Sequence, residues 1–304
     1  MPGPILAAVD GSQPSLHALD WAADEAALRR APLQIVHVAL TWSYQAPATP
    51  GGAGAAPDDA GLRVLDAAAQ RAASRYPDIG IETQLLVGPA AATLLPAAAS
   101  ARLVVLGRRG AAGFAGQLLG SISYQVAAHA ACPVAVIPAP EDVGRDQAQA
   151  APDRAHADIV VGVDGGQNTA DAVAFAFEEA VLRGAKLRAI HSWTHALAQG
   201  AGDSRKARSH EGASHAKEAM AAQSTRMLAE SVASWREKYP DVRLTEQVER
   251  GHAAKILTDA SATAGLLVVG AHGKGGFPGL ALGSVTHSVL HHAHCPVVVV
   301  RPLP

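Results

Sequence analysis

Leu103-Val104-Val105-Leu106-Gly107-Arg108-Arg109-Gly110, then nine residues, then Gly120-Ser121-Ile122-Ser123: this stretch decides the reading of the chain because it occurs twice. The second copy is Leu266-Leu267-Val268-Val269-Gly270-Ala271-His272-Gly273, nine residues, and Gly283-Ser284-Val285-Thr286. Each copy is an apolar run of strand length, a pair of glycines, and a Gly-Ser step that opens a segment of helical period, so each reads as strand, loop and helix. Glycines let backbone N–H groups come close to a phosphate, and the start of the next helix adds unpaired N–H groups and the positive end of its dipole. A hydroxyl at Ser121 or Ser284 can cap the helix or bond a phosphate oxygen. Glycines making only tight turns would not need a helix start at this fixed distance.

Working outward, the duplication covers nearly the whole chain. Ala8-Val9-Asp10-Gly11-Ser12 matches Gly162-Val163-Asp164-Gly165-Gly166, and Ile35-Val36-His37 matches Ala189-Ile190-His191, both at an offset of 154. Arg75-Tyr76-Pro77-Asp78 matches Lys238-Tyr239-Pro240-Asp241, and Cys132-Pro133-Val134 matches Cys295-Pro296-Val297, both at 163. Nine extra residues therefore enter the second copy; the polar stretch Gln199–Glu211, opposite the Pro/Gly/Ala-rich loop Ala46–Ala60, is where they are expected. Pro138–Ala157 has no apolar periodicity and reads as a linker. The expected division is one domain over 1–139, a linker over 140–156 and a second domain over 157–304.

Within each copy short apolar runs alternate with helical segments, the pattern of a doubly wound parallel α/β sheet. Strands are expected at Ile5–Val9, Leu33–Ala39, Ile81–Val87, Leu103–Leu106 and Val134–Ile137, with counterparts near Ile159–Val163, Leu187–His191, Arg243–Val248, Leu266–Val269 and Val297–Val300. Their nearly continuous apolar character means helices on both faces. Ligands of such sheets bind beyond the carboxyl ends of the strands, where the winding reverses.

Composition sets the outer limits. The 304 residues fit two domains, and 49% apolar against 17% charged residues exclude disorder for most of the chain. A balance of 25 basic and 27 acidic residues lacks the excess expected of a nucleic-acid binder. The longest charge-free stretch, Leu85–Ala101, is 17 residues with Gly88, Pro89 and Pro96 inside it, too short and too broken to span a bilayer. Met1-Pro2-Gly3-Pro4 has no basic and apolar leader pattern, so a soluble cytoplasmic protein with no membrane partner is expected. Cys132 and Cys295, in matched positions, read as buried thiols.

Val9-Asp10-Gly11-Ser12, His37-Val38, Gly107-x2-Gly110-x9-Gly120-Ser121 and Cys132-Pro133-Val134-Ala135-Val136-Ile137, with their second-copy counterparts, resemble the universal stress protein family in its tandem, ATP-binding form. The resemblance implies two Rossmann-like (HUP-type) domains, each a five-stranded parallel sheet of order 3-2-1-4-5 flanked by helices. It implies a nucleotide-dependent stress regulator holding ATP with Mg2+ bound through the phosphates. Adenosine would meet the Asp after strand one and the backbone ending strand two, and phosphates would lie on the glycine loop. Carried over, the first site is Asp10, Ser12, Val38, Gly107, Gly110, Gly120, Ser121, Ile122 and Ser123. The second is Asp164, Ser192, Gly270, Gly273, Gly283, Ser284, Val285 and Thr286. Gly166 stands in place of Ser12, and Ser192 in place of Val38. Ala111 stands where the second copy has Lys274, and Arg108 and Arg109 are expected to supply the positive charge instead. The family also implies pairing through the last strand, either between two copies of the chain or between its own halves, and an unidentified protein partner.

Other motifs fail. A P-loop would need Ser or Thr after Lys274, where Gly275 stands, and Gly at Val268. A dinucleotide fingerprint is missing after the first strand. His287, His291, His292 and His294 lack an accompanying Glu and read as a helix-end face rather than a metal site. His37 and His191 read as packed and hydrogen-bonded, and Trp21 and Trp193 as core or pocket wall. Asp10 and Asp164 also suit a turn or cap. No nucleophile-base pair or general base is nominated. Three readings stay open: a regulator with at most weak hydrolysis, an ATPase or phosphotransfer enzyme, and a nucleotide-free interaction module.

Overall fold

The computed structural model describes residues 3–39, 57–110, 119–140, 157–166, 169–194, 210–274 and 281–302. Residues 141–156 of the expected linker, 46–56 of the first-copy loop, 199–209 of the insertion, and the middles of both glycine loops (111–118, including Ala111, and 275–280) lie outside them.

The first half runs β1 (Ile5–Ala8), α1 (Gln13–Arg29), β2 (Leu33–Ala39), α2 (Pro57–Arg75), β3 (Ile81–Val87), α3 (Ala90–Ala98), β4 (Leu103–Gly107), α4 (Ser121–His129) and β5 (Val134–Ile137). The second repeats the pattern: β6 (Asp158–Gly162), α5 (Thr169–Arg183), β7 (Leu187–Trp193), α6 (His210–Lys238), β8 (Leu244–Arg250), α7 (Ala253–Ser261), β9 (Ala264–Gly270), α8 (Ser284–His292) and β10 (Val297–Val300). Helix α2 begins inside the stretch read as loop, because a proline at a first helical position costs no hydrogen bond.

The strands form one ten-stranded sheet of order β3-β2-β1-β4-β5-β10-β9-β6-β7-β8. Each half thus has order 3-2-1-4-5, and all pairings within the halves are parallel. Only the seam is antiparallel: Val136 faces Val297, Ala135 faces Val298 and Val134 faces Val299. The last-strand pairing is therefore made inside one chain, and it closes two edges that would otherwise be open.

Alternation along the strands sorts the core into two layers. Ile5, Ala7, Ile35, Leu103 and Val105 face α1 and α2, and join Phe177 of α5 and Leu228 of α6 across the seam. Leu6, Val36, Val104 and Leu106 face α3 and α4, and join Leu257 of α7 and Leu290 of α8. With both faces covered, the strand ends are the accessible part of the sheet.

Charge locks the seam. Glu25 and Arg29 of α1 meet Glu179 and Arg183, their repeat equivalents on α5, in a four-membered ring of ion pairs. The pairs within a helix are 2.5 Å (Arg29–Glu25) and 2.8 Å (Arg183–Glu179), and Arg29–Glu179 and Arg183–Glu25 cross between halves. Both glutamates are 1% exposed, so they are stable as ions only in each other's arginine company. Arg183 also lies over the Trp21 ring at 5.7 Å and Arg29 over Phe175 at 5.6 Å, which places Trp21 at the seam. On the opposite face Tyr124 of α4 meets the His287 ring edge-on at 5.7 Å, and His287 lies 4.5 Å from His291.

Candidate functional site

Each half has a cleft at the carboxyl ends of its strands, between strands one and four, where the 3-2-1-4-5 order reverses. The first, about 180 Å³, is lined by Asp10, Val38, Gly107, Gly110, Gly120, Ser121, Ile122 and Ser123, all expected from sequence. The second, about 130 Å³, is lined by Asp164, Ser192, Gly270, Gly273, Val285 and Thr286. Gly283 and Ser284 are not on that cavity wall; they form the N-cap and first residue of α8.

The first cleft begins where β1 stops. Val9 makes a last rung through its N–H to Val36 O (2.9 Å), and the chain then turns at Gly11, whose φ of +80° suits glycine. Asp10 occupies the turn: its carboxylate accepts from Ser12 N at 3.0 Å, and its own N–H donates to Ser15 Oγ at 3.3 Å. Ser12 stands outside the cleft lining. Its hydroxyl caps α1, accepting from Ser15 N at 3.3 Å. Gly166 in the second half has no hydroxyl for this cap.

Gly110 lies directly against Asp10: a Cβ there would come within 2.5 Å of Asp10 Oδ2. A Cβ on Gly107 would stand 3.0 Å from the carbonyl oxygens of Pro14 and Arg109, so neither glycine tolerates a side chain without movement. Gly120 N donates to Arg108 O at 2.8 Å, closing the loop onto the helix. Ser123, buried, donates its hydroxyl to Gly107 O at 2.7 Å and ties the first turn of α4 to the same loop. Gly120 is the N-cap of α4, and no side chain caps that helix. Its first-turn N–H groups thus face the cleft with the positive end of the helix dipole behind them.

The second half rebuilds this. Gly165 turns with φ +72°. The Asp164 carboxylate accepts from Gly166 N (2.9 Å), Thr169 Oγ1 and Lys274 N. Thr286 Oγ1 donates to Gly270 O at 2.7 Å, Gly283 N to Ala271 O at 2.8 Å, and α8 also lacks a side-chain cap. The Asp164 carboxylate is held by its own loop, and the second cleft is the smaller.

Arg109 lines the first cleft. Arg108 does not, and the expectation that it brings charge to the site is corrected. Its buried guanidinium crosses the seam and donates to His291 O (3.3 Å) and Ala293 O at the end of α8. Unpaired carbonyls and the negative dipole end of a helix C-terminus are a good partner for a cation. Arg301 does the reverse, donating to Ala128 O near the end of α4 and to Ala281 O (2.8 Å). Among the described residues no group of three or more His, Cys, Asp or Glu side chains could hold a metal ion, the histidines of α8 included.

Sequence reading missed the apolar wall. Ala90 and Leu94 of α3 with Val36 and Leu106 line the first cleft, and Ala253 and Leu257 of α7 with Ile190 the second. The signal was the apolar start of the helix after strand three, which by itself is indistinguishable from core.

The comparisons with known proteins agree with this architecture. The model of the universal stress protein family matches residues 1–138 and 157–301. A universal stress protein of Mycobacterium tuberculosis strain H37Rv is 35% identical over 307 residues, covering 98% of this chain and 96% of that one. One from Mycolicibacterium smegmatis is 34% identical over 303 residues, covering 98% and 97%. The crystal structure of a universal stress protein from Archaeoglobus fulgidus superimposes with a TM-score of 0.66 at 18% identity, covering 98% of both chains, a likeness of fold. Among the described residues no helix is long and apolar enough to cross a membrane. With the family model matching both halves and relatives aligned over nearly the full length, the chain belongs to the universal stress protein family.

Proposed function

We propose that each half binds ATP, and that the protein works as a nucleotide-dependent stress regulator whose occupancy is read by a protein partner. One observation carries this reading: twice in one chain, a carboxylate after strand one, a glycine loop after strand four and a helix N-terminus without a side-chain cap converge on one cleft. The apolar wall suits a base, the carboxylates of Asp10 and Asp164 suit ribose hydroxyls or an adenine amine, and the helix starts suit phosphates. Val38 and Ser192, each one residue before the end of its strand, would meet the base through backbone atoms in this reading.

At Gly107 and Gly110 a Cβ would meet Arg109 O, Pro14 O and Asp10 Oδ2, so glycine lets the loop close beside the uncapped helix start, where a phosphate chain would lie. Mg2+ would enter with the phosphates, where it would neutralise their charge, and Arg109 adds a cation at the first cleft. The first site, the larger cleft, is the tighter of the two in this reading. The test is titration calorimetry with Mg-ATP beside a turnover assay. Binding at two sites, lost one at a time in Asp10→Ala and Asp164→Ala, supports the regulator. Turnover well above stoichiometric and abolished by Asp10→Ala would replace it with an ATPase.

A further inference from the structure

His37 and His191 sit on β2 and β7, one residue before the backbone that ends each strand's part of the cleft, and neither is on the cleft wall. In the first half His37 Nδ1 lies 2.8 Å from Val9 O; in the second His191 Nδ1 lies 2.7 Å from Val163 O. A carbonyl can only accept, so each imidazole carries its proton on Nδ1. The acceptor is in each case the carbonyl of the residue before the cleft aspartate, at the point where the chain leaves the sheet after its last rung.

We propose that His37 and His191 are positioning residues of the two nucleotide sites: each Nδ1–H holds the peptide unit that precedes Asp10 or Asp164 and so sets where that carboxylate points. The Val9–Asp10 unit is gripped at its carbonyl by His37 and at its N–H by Ser15 Oγ (3.3 Å), and a rigid plane held at both ends fixes the Cα of Asp10. Filling space there would need only an apolar side chain; the ring is instead accommodated by Gly61 of α2, where a Cβ would stand 3.1 Å from His37 Cδ2. In the second half the carbonyl grip is repeated by His191 Nδ1 on Val163 O.

This inference rests on the nucleotide reading, and the experiment separates the two. Asn carries an amide N–H near the place of Nδ1, Gln carries one near the place of Nε2, and Leu carries none. In a full chain whose second site is removed by Asp164→Ala, Mg-ATP affinity is measured by calorimetry for His37, His37→Asn, His37→Gln and His37→Leu. Affinity is expected to fall about tenfold for Gln and Leu, as for loss of one buried hydrogen bond, and to return to within about twofold for Asn. In parallel, imidazole 15N shifts of the nucleotide-free protein are expected to report the Nδ1–H tautomer. Equal affinities for Asn and Gln, or an Nε2–H tautomer, would overturn the positioning role while leaving the nucleotide reading intact. A wild-type chain that binds no Mg-ATP would overturn both.

Discussion

Gly120→Val separates the cleft from the fold. Gly120 has φ −73° and ψ 145°, a conformation valine adopts readily, so no backbone strain follows. The new Cβ would stand 3.3 Å from Arg108 O and 3.7 Å from Ser123 Oγ, tight contacts that a shift of a few tenths of an ångström relieves. The stability cost is therefore about 1 kcal/mol or less. The γ-methyl groups then occupy space in front of the first-turn N–H groups of α4, where a phosphate oxygen must come to about 2.9 Å of nitrogen. Two charge-assisted hydrogen bonds lost at about 1.5–3 kcal/mol each amount to at least about 3 kcal/mol, or more than 100-fold in affinity. Calorimetry with Mg-ATP should show the stoichiometry fall from two to one, with a melting temperature within about 3 °C of wild type. Retention of two sites with unchanged affinity in a folded variant would refute the assignment of phosphates to this loop.

Three further outcomes follow from the packing. Glu25→Ala leaves two arginines to share Glu179 at the seam and should cost about 3–5 kcal/mol in denaturant unfolding, whereas replacing Glu25, Arg29, Glu179 and Arg183 together by methionine should cost far less; equal costs would contradict the ring of ion pairs. Arg30 caps α1 in the left-handed region (φ +51°) where Gly184 does so in the repeat (φ +59°), so Arg30→Gly should stabilise by about 0.5–1 kcal/mol and raise the melting temperature by about 2 °C. Burial, then His287, His292 and the Arg108 guanidinium, hold the His291 imidazole below its ordinary 6.5. Its neutral form is favoured by folding, so this stability is present above pH 6.5 and is lost as pH falls below it. His291→Gln should flatten the drop in melting temperature between pH 7 and 5.5, and an unchanged slope would exclude the residue.

The sheet was legible because it is a fully buried parallel one. Runs such as Leu103–Leu106 and Val297–Val300 are apolar on both faces, and the duplication let each half check the other. Limits differed where local signals compete, as at Pro57, which reads as loop punctuation but starts α2, and at Asp158, which joins β6 one residue before the apolar run. The site was legible where chemistry needs a residue type at a fixed spacing, as for Asp10 and the three loop glycines. It was illegible where side-chain direction decides. Nothing local distinguishes Arg108, which crosses to α8, from Arg109, which lines the cleft. The hydroxyl of Ser12 caps α1, and the ring of ion pairs depends on two helices 154 residues apart in sequence meeting across a seam. The histidines before the strand ends were recognisable as packed, but their acceptor carbonyls exist only once the turn after β1 is built.

The central claim, that this chain carries adenine nucleotide in its two clefts, is tested most directly by denaturing freshly purified protein and identifying what is released by chromatography and mass spectrometry, quantified per chain. ATP at one to two equivalents is the predicted result. No released nucleotide, followed by no change in melting temperature on adding Mg-ATP, would contradict the account and leave the fold as an interaction module.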